Sequence, residues 1–376
     1  MKIKLFIILA MVIFLSSCEK KVESNTEVYE NTISSKHAEL KKINNFKIEE
    51  TPTSFIGTFL FVKYRNGKLV IADYLIPQLF FIDKSNGKVI KRIKFNIGKG
   101  PGEVVKIGSF EILGNRIYIS DTGNLRWSVF DTVGNFIMLS RPFSDIPKTS
   151  LKEKQSGTYE GNGNVMDIYK DKIYNCIIES EYNRDLQQHH SKTIAILDSS
   201  LNIIKVFGIM DRIFGEVKNY FINPMITISK DGYIYHTQAP TYRIYKYDIK
   251  GNYLKTFGIK GKFRIIDKDI PSNLPIPEII KRTLEFSVSD AIFSSPNGYV
   301  LYQFVDRTEN LYETRNLLDN EYYLKVYDVS GNYIASDLKL PGWLISVDDE
   351  GKLYIYEKNE PGNRIIGVYE IKFIDD

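Results

Sequence analysis

The sequence has few of the residues that most often carry catalysis, metal binding or crosslinks. Its 376 residues include two cysteines and four histidines. It contains no His-Glu-x-x-His, no Gly-x-Ser-x-Gly and no cysteine–histidine spacing of the zinc type. His189 and His190 are adjacent, so on a strand they would point to opposite faces and could not readily share one ion. The sequence therefore offers no motif of a known catalytic or zinc centre.

A large excess of positive charge is also missing. The formal net charge is +4 at pH 7, and two of the lysines, Lys2 and Lys4, belong to the N-terminal leader described next. No dense run of lysine and arginine occurs elsewhere. A surface for nucleic acid needs a stronger positive field, so we predict no nucleic-acid partner.

The longest apolar run is N-terminal, where Leu5–Leu15 follows Lys2 and Lys4. A positive region, a short apolar run and small residues at its end are typical of a secretory signal peptide. The ending Leu15-Ser16-Ser17-Cys18 resembles the lipobox of bacterial lipoproteins, in which the cysteine becomes the acylated N-terminus. The alternative is an ordinary signal peptide with a chance cysteine.

The lipoprotein interpretation divides the chain into three parts. We predict a signal peptide over residues 1–17, a lipidated Cys18 with a flexible tether over 18–38, and one domain over 39–376. The acyl chains would hold the protein at the cell envelope, in the outer membrane, with the periplasmic or outer side left open. Cys176 would then have no disulfide partner, and the domain would depend on its hydrophobic core.

Aromatic residues are abundant, at 13% of the chain, and a phrase built on them recurs. Each copy is a tight turn followed by an alternating strand, then an apolar strand that ends in an acid. Asn-Gly and Asp-Gly in these turns suit the positive φ of hairpins. The turn-and-strand copies begin at Asn66, Gly114, Lys170, Asp231, Asn297 and Glu350, and the acids are Asp83, Asp131, Asp198, Asp248, Asp328 and Glu370.

Six copies of such a unit predict an all-β fold, a six-bladed β-propeller of four-stranded antiparallel blades. The sixth copy runs out of chain after three strands, so we expect an N-terminal strand within Leu40–Ile48 to complete it and close the ring. The segment Ile119–Asp131 resembles the NHL-type blade, and the chain resembles the six-bladed β-propeller lipoproteins of Bacteroidota-type bacteria. That resemblance implies a fold and a compartment more than an activity.

The glycine-rich loop Ile97–Glu103 could be a phosphate-binding loop or a crossover between blades. A phosphate loop needs Ser or Thr after Gly-Lys and a helix behind it, and here a strand is expected. Similar glycines recur at Gly208 and Gly258, in the equivalent position of other blades. We therefore predict a crossover, and the alternative is a surface anion nest.

Loop lengths distinguish the two faces of the predicted propeller. The links from fourth to first strands and from second to third strands contain all the long segments, and we call their side the long-loop face. The opposite side, with the remaining links, is the short-turn face. Because binding residues favour loops on a rigid scaffold, the long-loop face with the channel mouth is the predicted site. The alternative is that these loops only cover the blade ends.

The candidate ligand-binding residues on the long-loop face combine acids, bases and aromatics. Asp73 and Asp121 occupy equivalent positions, which favours turn capping over catalysis. Arginine beside an aromatic residue suits stacking on sugars or planar anions, although both are ordinary strand residues. A helical insert at Pro275–Phe286 is a candidate lid. The full set is Asp73, Tyr74, Lys99, Glu103, Asp121, Arg126, Trp127, His236, Tyr242 and Arg243.

Two functions of different classes follow. The first is a non-enzymatic binding or scaffold module of the cell envelope, engaging a glycan, a peptide or a protein partner. The second is a metal-dependent hydrolase, lactonase or lyase, which needs acids, amides or histidines converging on the channel. No cofactor is predicted for the first, and calcium in the central channel stays open under the second. A weaker third hypothesis is a structural part of a larger envelope complex.

Overall fold

The structure is a computed structural model that describes residues 28–29, 36–142, 154–158, 164–183, 188–217, 223–270 and 274–375. Cys18 and the predicted signal peptide lie outside these residues. Among the residues described, no helix combines the length and the apolar character needed to cross a membrane.

The described chain is built almost entirely from strands. In chain order they are β1 (Val28–Tyr29), β2 (Lys36–Lys47), β3 (Phe59–Arg65), β4 (Lys68–Asp73), β5 (Gln78–Asp83), β6 (Val89–Lys94), β7 (Ile107–Leu113), β8 (Arg116–Asp121), β9 (Arg126–Asp131), β10 (Phe136–Ser140), β11 (Lys154–Thr158), β12 (Met166–Tyr169), β13 (Lys172–Asn183), β14 (Gln188–Leu197), β15 (Ile203–Phe207), β16 (Asn223–Ile228), β17 (Tyr233–Ala239), β18 (Ile244–Asp248), β19 (Tyr253–Phe257), β20 (Ser287–Ser294), β21 (Tyr299–Asp306), β22 (Glu321–Asp328), β23 (Tyr333–Lys339), β24 (Trp343–Val347), β25 (Leu353–Glu360) and β26 (Asn363–Asp375). The helices are α1 (Ile213–Glu216), α2 (Ile276–Thr283) and α3 (Glu309–Thr314), with a 3-10 turn at Leu317–Asp319.

These strands form six antiparallel sheets, which confirms the predicted six-bladed β-propeller of four-stranded blades. Blades one and two are β3–β6 and β7–β10, and blade five is β20–β23. In blade three both β11 and β12 pair with β13, and in blade four β1 adds a short parallel strand to β19. Blade six is β24, β25 and β26 with β2, which lies antiparallel to β26 at the outer edge.

The hydrophobic core lies between neighbouring blades, where the faces of adjacent sheets meet. One cluster joins blades one and two around Phe110 and Phe130. Another joins blades three and four around Tyr174 and Tyr247. Cys176 is a buried free cysteine in that second cluster, as the sequence predicted.

Buried charged residues beside the axis also connect the inner strands. Arg65 of blade one donates to Glu111 of blade two (Nε–Oε1 2.6 Å) and to Asp167 of blade three (Nη2–Oδ1 3.0 Å). Asp167 in turn accepts from Ile228 N of blade four at 2.9 Å. Burial alone would raise the pKa of Glu111, but Arg65 and Lys63 hold it below its ordinary value. The network therefore connects four inner strands with its charges mutually satisfied.

The recurrent acids close the turns between third and fourth strands. Asp248 Oδ1 accepts from Lys250 N and Asn252 N, both at 2.9 Å, while Oδ2 accepts from Asn252 Nδ2 at 2.7 Å. Gly251 supplies the left-handed backbone, with φ +78°. The same Asp–Asn pairing is present at Asp131, Asp198 and Asp328. Glu370 differs because β26 does not turn there but runs on along β2.

Asp248→Asn should lower the free energy of unfolding at pH 7, because the new amide would face Asn252 Nδ2 and leave two donors opposed. Slight burial would raise the pKa of Asp248, but hydrogen bonds from Asn252 and Lys250 hold it below its ordinary value. The carboxylate's contribution is therefore present above about pH 4 and is lost as the pH falls through the depressed folded-state pKa. Urea unfolding should show a difference between wild type and variant at pH 7 that shrinks near about pH 3.

The matched control is Asp171→Asn, in the two-residue turn between β12 and β13. It removes one carboxylate charge from the same face and should change the free energy of unfolding little at either pH. An equal loss in both variants would show that the turn cap is not the source of the effect.

Candidate functional site

The long-loop face is elaborated as predicted. The three helices of the described residues lie in its links: α1 between β15 and β16, α2 between β19 and β20, and α3 between β21 and β22. The short-turn face has tight hairpins in the corresponding positions, such as residues 66–67 and 249–252.

Asp73 and Asp121 are fully buried and serve as turn caps. Asp73 accepts from Gly57 N at 2.8 Å, from Leu75 N at 3.0 Å and from Gln78 Nε2 at 2.7 Å. Asp121 accepts from Asn124 Nδ2 at 2.6 Å and from the backbone of the preceding crossover. Their carboxylate oxygens are occupied by the fold, as the capping interpretation predicts.

The glycine-rich loop is the crossover from blade one to blade two, and Arg126 holds it in place. Its guanidinium donates to three carbonyl oxygens, those of Lys99 (2.7 Å), Gly100 (2.8 Å) and Glu103 (2.6 Å). Glu103 Oε2 accepts from Gly100 N at 2.6 Å, which uses a backbone donor that an anion would need. Lys99 itself is exposed. Trp127 is 1% exposed and packs between blades two and three.

Arg243 has the same structural position in blade four. It forms a bidentate pair with Asp211 of the crossover that carries α1 (Nε–Oδ2 2.9 Å, Nη2–Oδ1 2.7 Å). Asp211 also accepts from Tyr245 Oη at 2.9 Å. Burial would lower the pKa of Arg243, but Asp211 raises it above the ordinary value. Tyr242 packs its ring on Phe263, with centroids 5.9 Å apart.

His236 is fully buried in β17 and is held by one backbone group. Its Nδ1 lies 2.9 Å from Met225 O, and burial lowers its pKa to about 4. The imidazole is therefore neutral at physiological pH and lies away from solvent. Tyr74 is half-buried, with Lys106 Nζ 4.2 Å from its ring centroid. The structure does not bring the predicted residues together into one site.

A cavity of about 520 Å³ opens instead on the long-loop face above blade five. Helix α2 and the segment with α3 form two of its walls, and β20 and β21 form its floor. Helix α2 falls within the predicted helical insert. The lining residues are Asn223, Ala239, Ile279, Ile280, Thr283, Val288, Ser289, Asp290, Val305, Arg307, Leu311, Tyr312, Leu317, Asn320 and Tyr322.

Asp290 is the acid of this cavity and also part of the contact between blades five and six. Its Oδ2 accepts from Gln303 Nε2 at 2.6 Å and from Trp343 Nε1 at 2.7 Å. Burial raises its pKa to about 6, although those two bonds and the nearby Arg307 lower it. Both side-chain donors bind the same oxygen, Oδ2.

Two amides of the cavity have acceptors that the described residues do not satisfy. Asn223 Oδ1 and Asn320 Oδ1 are buried without a hydrogen-bond partner in the described part of the chain. The Asn320 amide bonds the Tyr322 hydroxyl, which donates to Leu317 O at 2.8 Å. Unpaired buried acceptors cost free energy, but both oxygens are closed to solvent, so they do not by themselves mark a contact with an occupant of the cavity.

Sequence reasoning identified the loops of this cavity but not its polar residues. Asp290 interrupts an otherwise small and apolar stretch, Ser287–Phe293, and that interruption is the signal that could have found it. Other inner strands also contain charges, such as Glu111 and Asp167, which are paired within the fold. The sequence pattern alone could not distinguish an acid paired within the fold from an acid that lines a cavity.

Two further cavities lie elsewhere on the propeller. The channel mouth on the short-turn face encloses about 310 Å³ beside Lys63, Arg65 and Asp167, the axial network already described. A groove of about 580 Å³ between blades three and four is lined by lysines and by Tyr174, whose hydroxyl donates to Ile249 O at 3.1 Å.

Carboxylates cluster once with metal-ligand spacing in the described part of the chain, at Asp348, Asp349 and Glu350. These residues lie in the turn between the first and second strands of blade six, on the short-turn face. Lys84 Nζ lies 2.9 Å from Asp348 Oδ2, 3.6 Å from Asp349 Oδ1 and 3.4 Å from Glu350 Oε1. Lys84 thus offsets part of the negative charge of this cluster, and the described residues include no other such trio of His, Cys, Asp or Glu.

Comparison with known proteins supports the fold. A member of the DUF4221 family from Bacteroides vulgatus matches with a TM-score of 0.65 and 14% identity over 89% of this chain and 99% of that chain. A predicted exported protein of Bacteroides fragilis matches with a TM-score of 0.52 and 16% identity over 89% of this chain and 95% of that chain. No family model and no curated protein matches the sequence. At these identities the likeness shows the propeller fold alone.

Arg243→Ala should destabilise the protein by about 3–5 kcal/mol, because it leaves the buried Asp211 carboxylate without its partner. Arg212→Ala removes a neighbouring arginine whose pair with Glu216 is exposed, and should cost less than about 1 kcal/mol. Urea unfolding of both variants measures the difference. Similar small losses would contradict a structural role for Arg243 and return it to the candidate ligand-binding residues.

Proposed function

We propose that the protein is a binding module of the cell envelope, which engages a glycan, a peptide or a protein partner through its long-loop face. The observation that carries this proposal is the cavity above blade five. It combines aliphatic walls with a few polar groups, which is the usual composition of a ligand site. The Asp290 carboxyl and the Arg307 guanidinium belong to its charged lining residues.

The rigidity of the surrounding fold supports binding at this position. The floor of the cavity consists of β20 and β21, the two innermost strands of blade five, which pair with each other along their length. Helix α3 is fixed at its start by Thr308, whose side chain accepts from Leu311 N. A site on such supports keeps its geometry in the absence of ligand, which lowers the entropic cost of binding.

The proposed anchor is an acylated Cys18 in the outer membrane, at the start of the segment predicted as a tether, residues 18–38. This location agrees with the predicted export of the Bacteroides fragilis neighbour. A lipid anchor gives a binding module a high local concentration at the membrane surface, where its partner would be a glycan, peptide or protein of the envelope.

Leu311→Trp should fill the cavity and weaken binding at least about tenfold, since a half-buried wall residue would then occupy ligand space. The measurement is binding of the full-length protein in detergent to glycan and peptide arrays. Leu75→Trp makes the same change at an exposed position of blade one on the same face and should bind normally. Equal binding by both variants would rule out the cavity as the site.

Cys18→Ala should move the protein from the membrane fraction to the soluble fraction, because each buried methylene of an acyl chain contributes about 0.8 kcal/mol to anchoring. Cys176→Ala is the matched control and should remain with the membrane, since that thiol is buried in the core. Unchanged fractionation of the Cys18 variant would end the lipoprotein hypothesis.

A further inference from the structure

The groove between blades three and four is rich in lysine, and we call it the lysine groove. Its volume is about 580 Å³, and residues of the β12–β13 turn and the β18–β19 turn line it, both on the short-turn face. Its charged lining residues are Lys170, Lys172, Lys205 and Lys250, with Asp171 as the one acid. This excess of positive charge favours an anionic occupant.

The positive charge of the groove is not paired within the fold. In the described part of the chain, Lys172 Nζ and Lys250 Nζ have neither a hydrogen bond nor an ion pair. Lys205 Nζ donates to Lys250 O at 2.7 Å, and Lys170 Nζ lies 5.4 Å from the ring centroid of Tyr169. Both of these partners are neutral, so the ammonium groups keep their charge for an external anion.

The acids of the adjoining turns do not line the groove. Asp198 binds Asn202 at 2.9 Å, and Asp248 binds Asn252 at 2.7 Å. Their carboxylates are therefore used by their own turns, as in the other blades.

Exposed apolar side chains accompany the lysines. Ile204 lines the groove and is 51% exposed, and Leu254, in the neighbouring β19, is 47% exposed. Lysine beside exposed aliphatic groups suits the surface of a membrane. The aliphatic groups and the lysine stems can enter the interface while the ammonium groups meet the lipid headgroups.

The N-terminal segment joins the propeller beside this groove. Strand β1 pairs in parallel with β19 of blade four, with Val28 opposite Thr256 and Tyr29 opposite Phe257. Because β19 leads from the short-turn face to the long-loop face, β1 runs in the same direction. The predicted lipid anchor precedes β1 on the short-turn side of that direction.

The distance from the anchor to the groove is limited by the chain. Cys18 is ten residues before Val28, and an extended chain of that length spans at most about 35 Å. An anchor at Cys18 therefore keeps the edge of blade four near the membrane surface. The lysine groove adjoins this blade, so it is the charged surface that the anchor brings to the lipid.

Resting on the proposed lipid anchor, we propose that the lysine groove docks on the membrane by binding anionic phospholipid headgroups. Lys172 and Lys250 meet the phosphates, and Ile204 and Leu254 enter the interface. The acyl chains and the groove then form two attachments, and two signals of this kind hold a protein at a membrane more firmly than one.

The docked orientation also follows from the charges of the short-turn face. The acidic turn Asp348–Glu350 belongs to blade six, and an anionic surface would repel it. Contact is thus confined to blades three and four. The long-loop face, with the cavity above blade five, is directed away from the membrane and is open to a partner.

Amine footprinting in lipid nanodiscs tests the proposal on the full-length acylated protein. The discs contain phosphatidylcholine alone, or about one third phosphatidylglycerol. A water-soluble acetylating reagent is added, and mass spectrometry measures the acetylation rate of each lysine. Lys172 and Lys250 should react at least about threefold more slowly on the anionic discs. The protection should disappear in 1 M salt, where the Debye length is about 3 Å.

Two exposed lysines serve as internal controls. Lys88 lies in the β5–β6 turn of blade one, on the same face but across the ring, and Lys99 lies on the long-loop face. Both should react at the same rate on the two kinds of disc. Equal protection of these lysines would show general adsorption to the lipid and would overturn docking through the groove.

Charge reversal gives a matched pair of variants. Lys172→Glu combined with Lys250→Glu should abolish the protection of Lys170 on anionic discs. Lys88→Glu combined with Lys99→Glu makes the same change of charge elsewhere and should leave Lys172 and Lys250 protected. Thermal unfolding of each double variant confirms that it is folded. Persistent protection of Lys170 in the first variant would contradict the proposal.

The footprint separates the failure of docking from the failure of the anchor. Protein held by both kinds of disc without a difference in protection would overturn docking and leave the anchor in place. Protein bound only to anionic discs would contradict acylation and support docking, and protein bound to neither would overturn both. Equal protection by inorganic phosphate on neutral discs would assign the groove to a soluble anion and overturn membrane docking. Array binding that Leu311→Trp weakens would retain the proposed binding function in each case.

Discussion

The conformation of the long-loop face depends on buried guanidinium groups at the start of third strands. Arg126 binds carbonyl oxygens of its crossover, and Arg243 binds the Asp211 carboxylate. Arg364 of blade six pairs in the same way with Glu50, which also accepts from Ile56 N at 2.8 Å. Each pair is largely excluded from water, so removing one partner would leave an uncompensated charge. The crossovers are therefore held against the blade ends, with their polar groups bound.

Blade five has no guanidinium at this position, and neither has blade one, whose third strand begins with Gln78. The third strand of blade five begins with Glu321, whose carboxylate turns outward to Lys339 (2.7 Å) and Tyr323 (3.0 Å). The crossover with α2 is bound to the blade by Arg264, whose Nη2 lies 3.1 Å from Asp306 Oδ1. The cavity lies between α2 and the α3 segment of this blade.

Local, repeated features of the fold could be predicted from the sequence, whereas contacts between distant residues could not. The propeller was predictable because hairpins and Asp-to-Asn turns are local and recur in register, so each copy supports the others. The roles of Arg126 and Arg243 could not be predicted. An arginine at the start of a strand has the same sequence pattern whether its side chain binds a ligand or a crossover carbonyl. Asp290 is a similar case, since its partner Trp343 is 53 residues away and belongs to the next blade.

Asp290 joins the cavity to the seam between blades five and six through one carboxyl group. Its Oδ2 holds Trp343 and Gln303, and Gln303 Oε1 accepts from Leu344 N at 2.8 Å. Hydrogen bonds to an ionised carboxylate are stronger than those to a neutral one. A ligand that stabilised the ionised form of this carboxyl would therefore also strengthen its bonds at Oδ2. Under the proposed function, occupancy of the cavity would be coupled to the cohesion of the seam, because Asp290 lines the cavity and also holds the neighbouring blade.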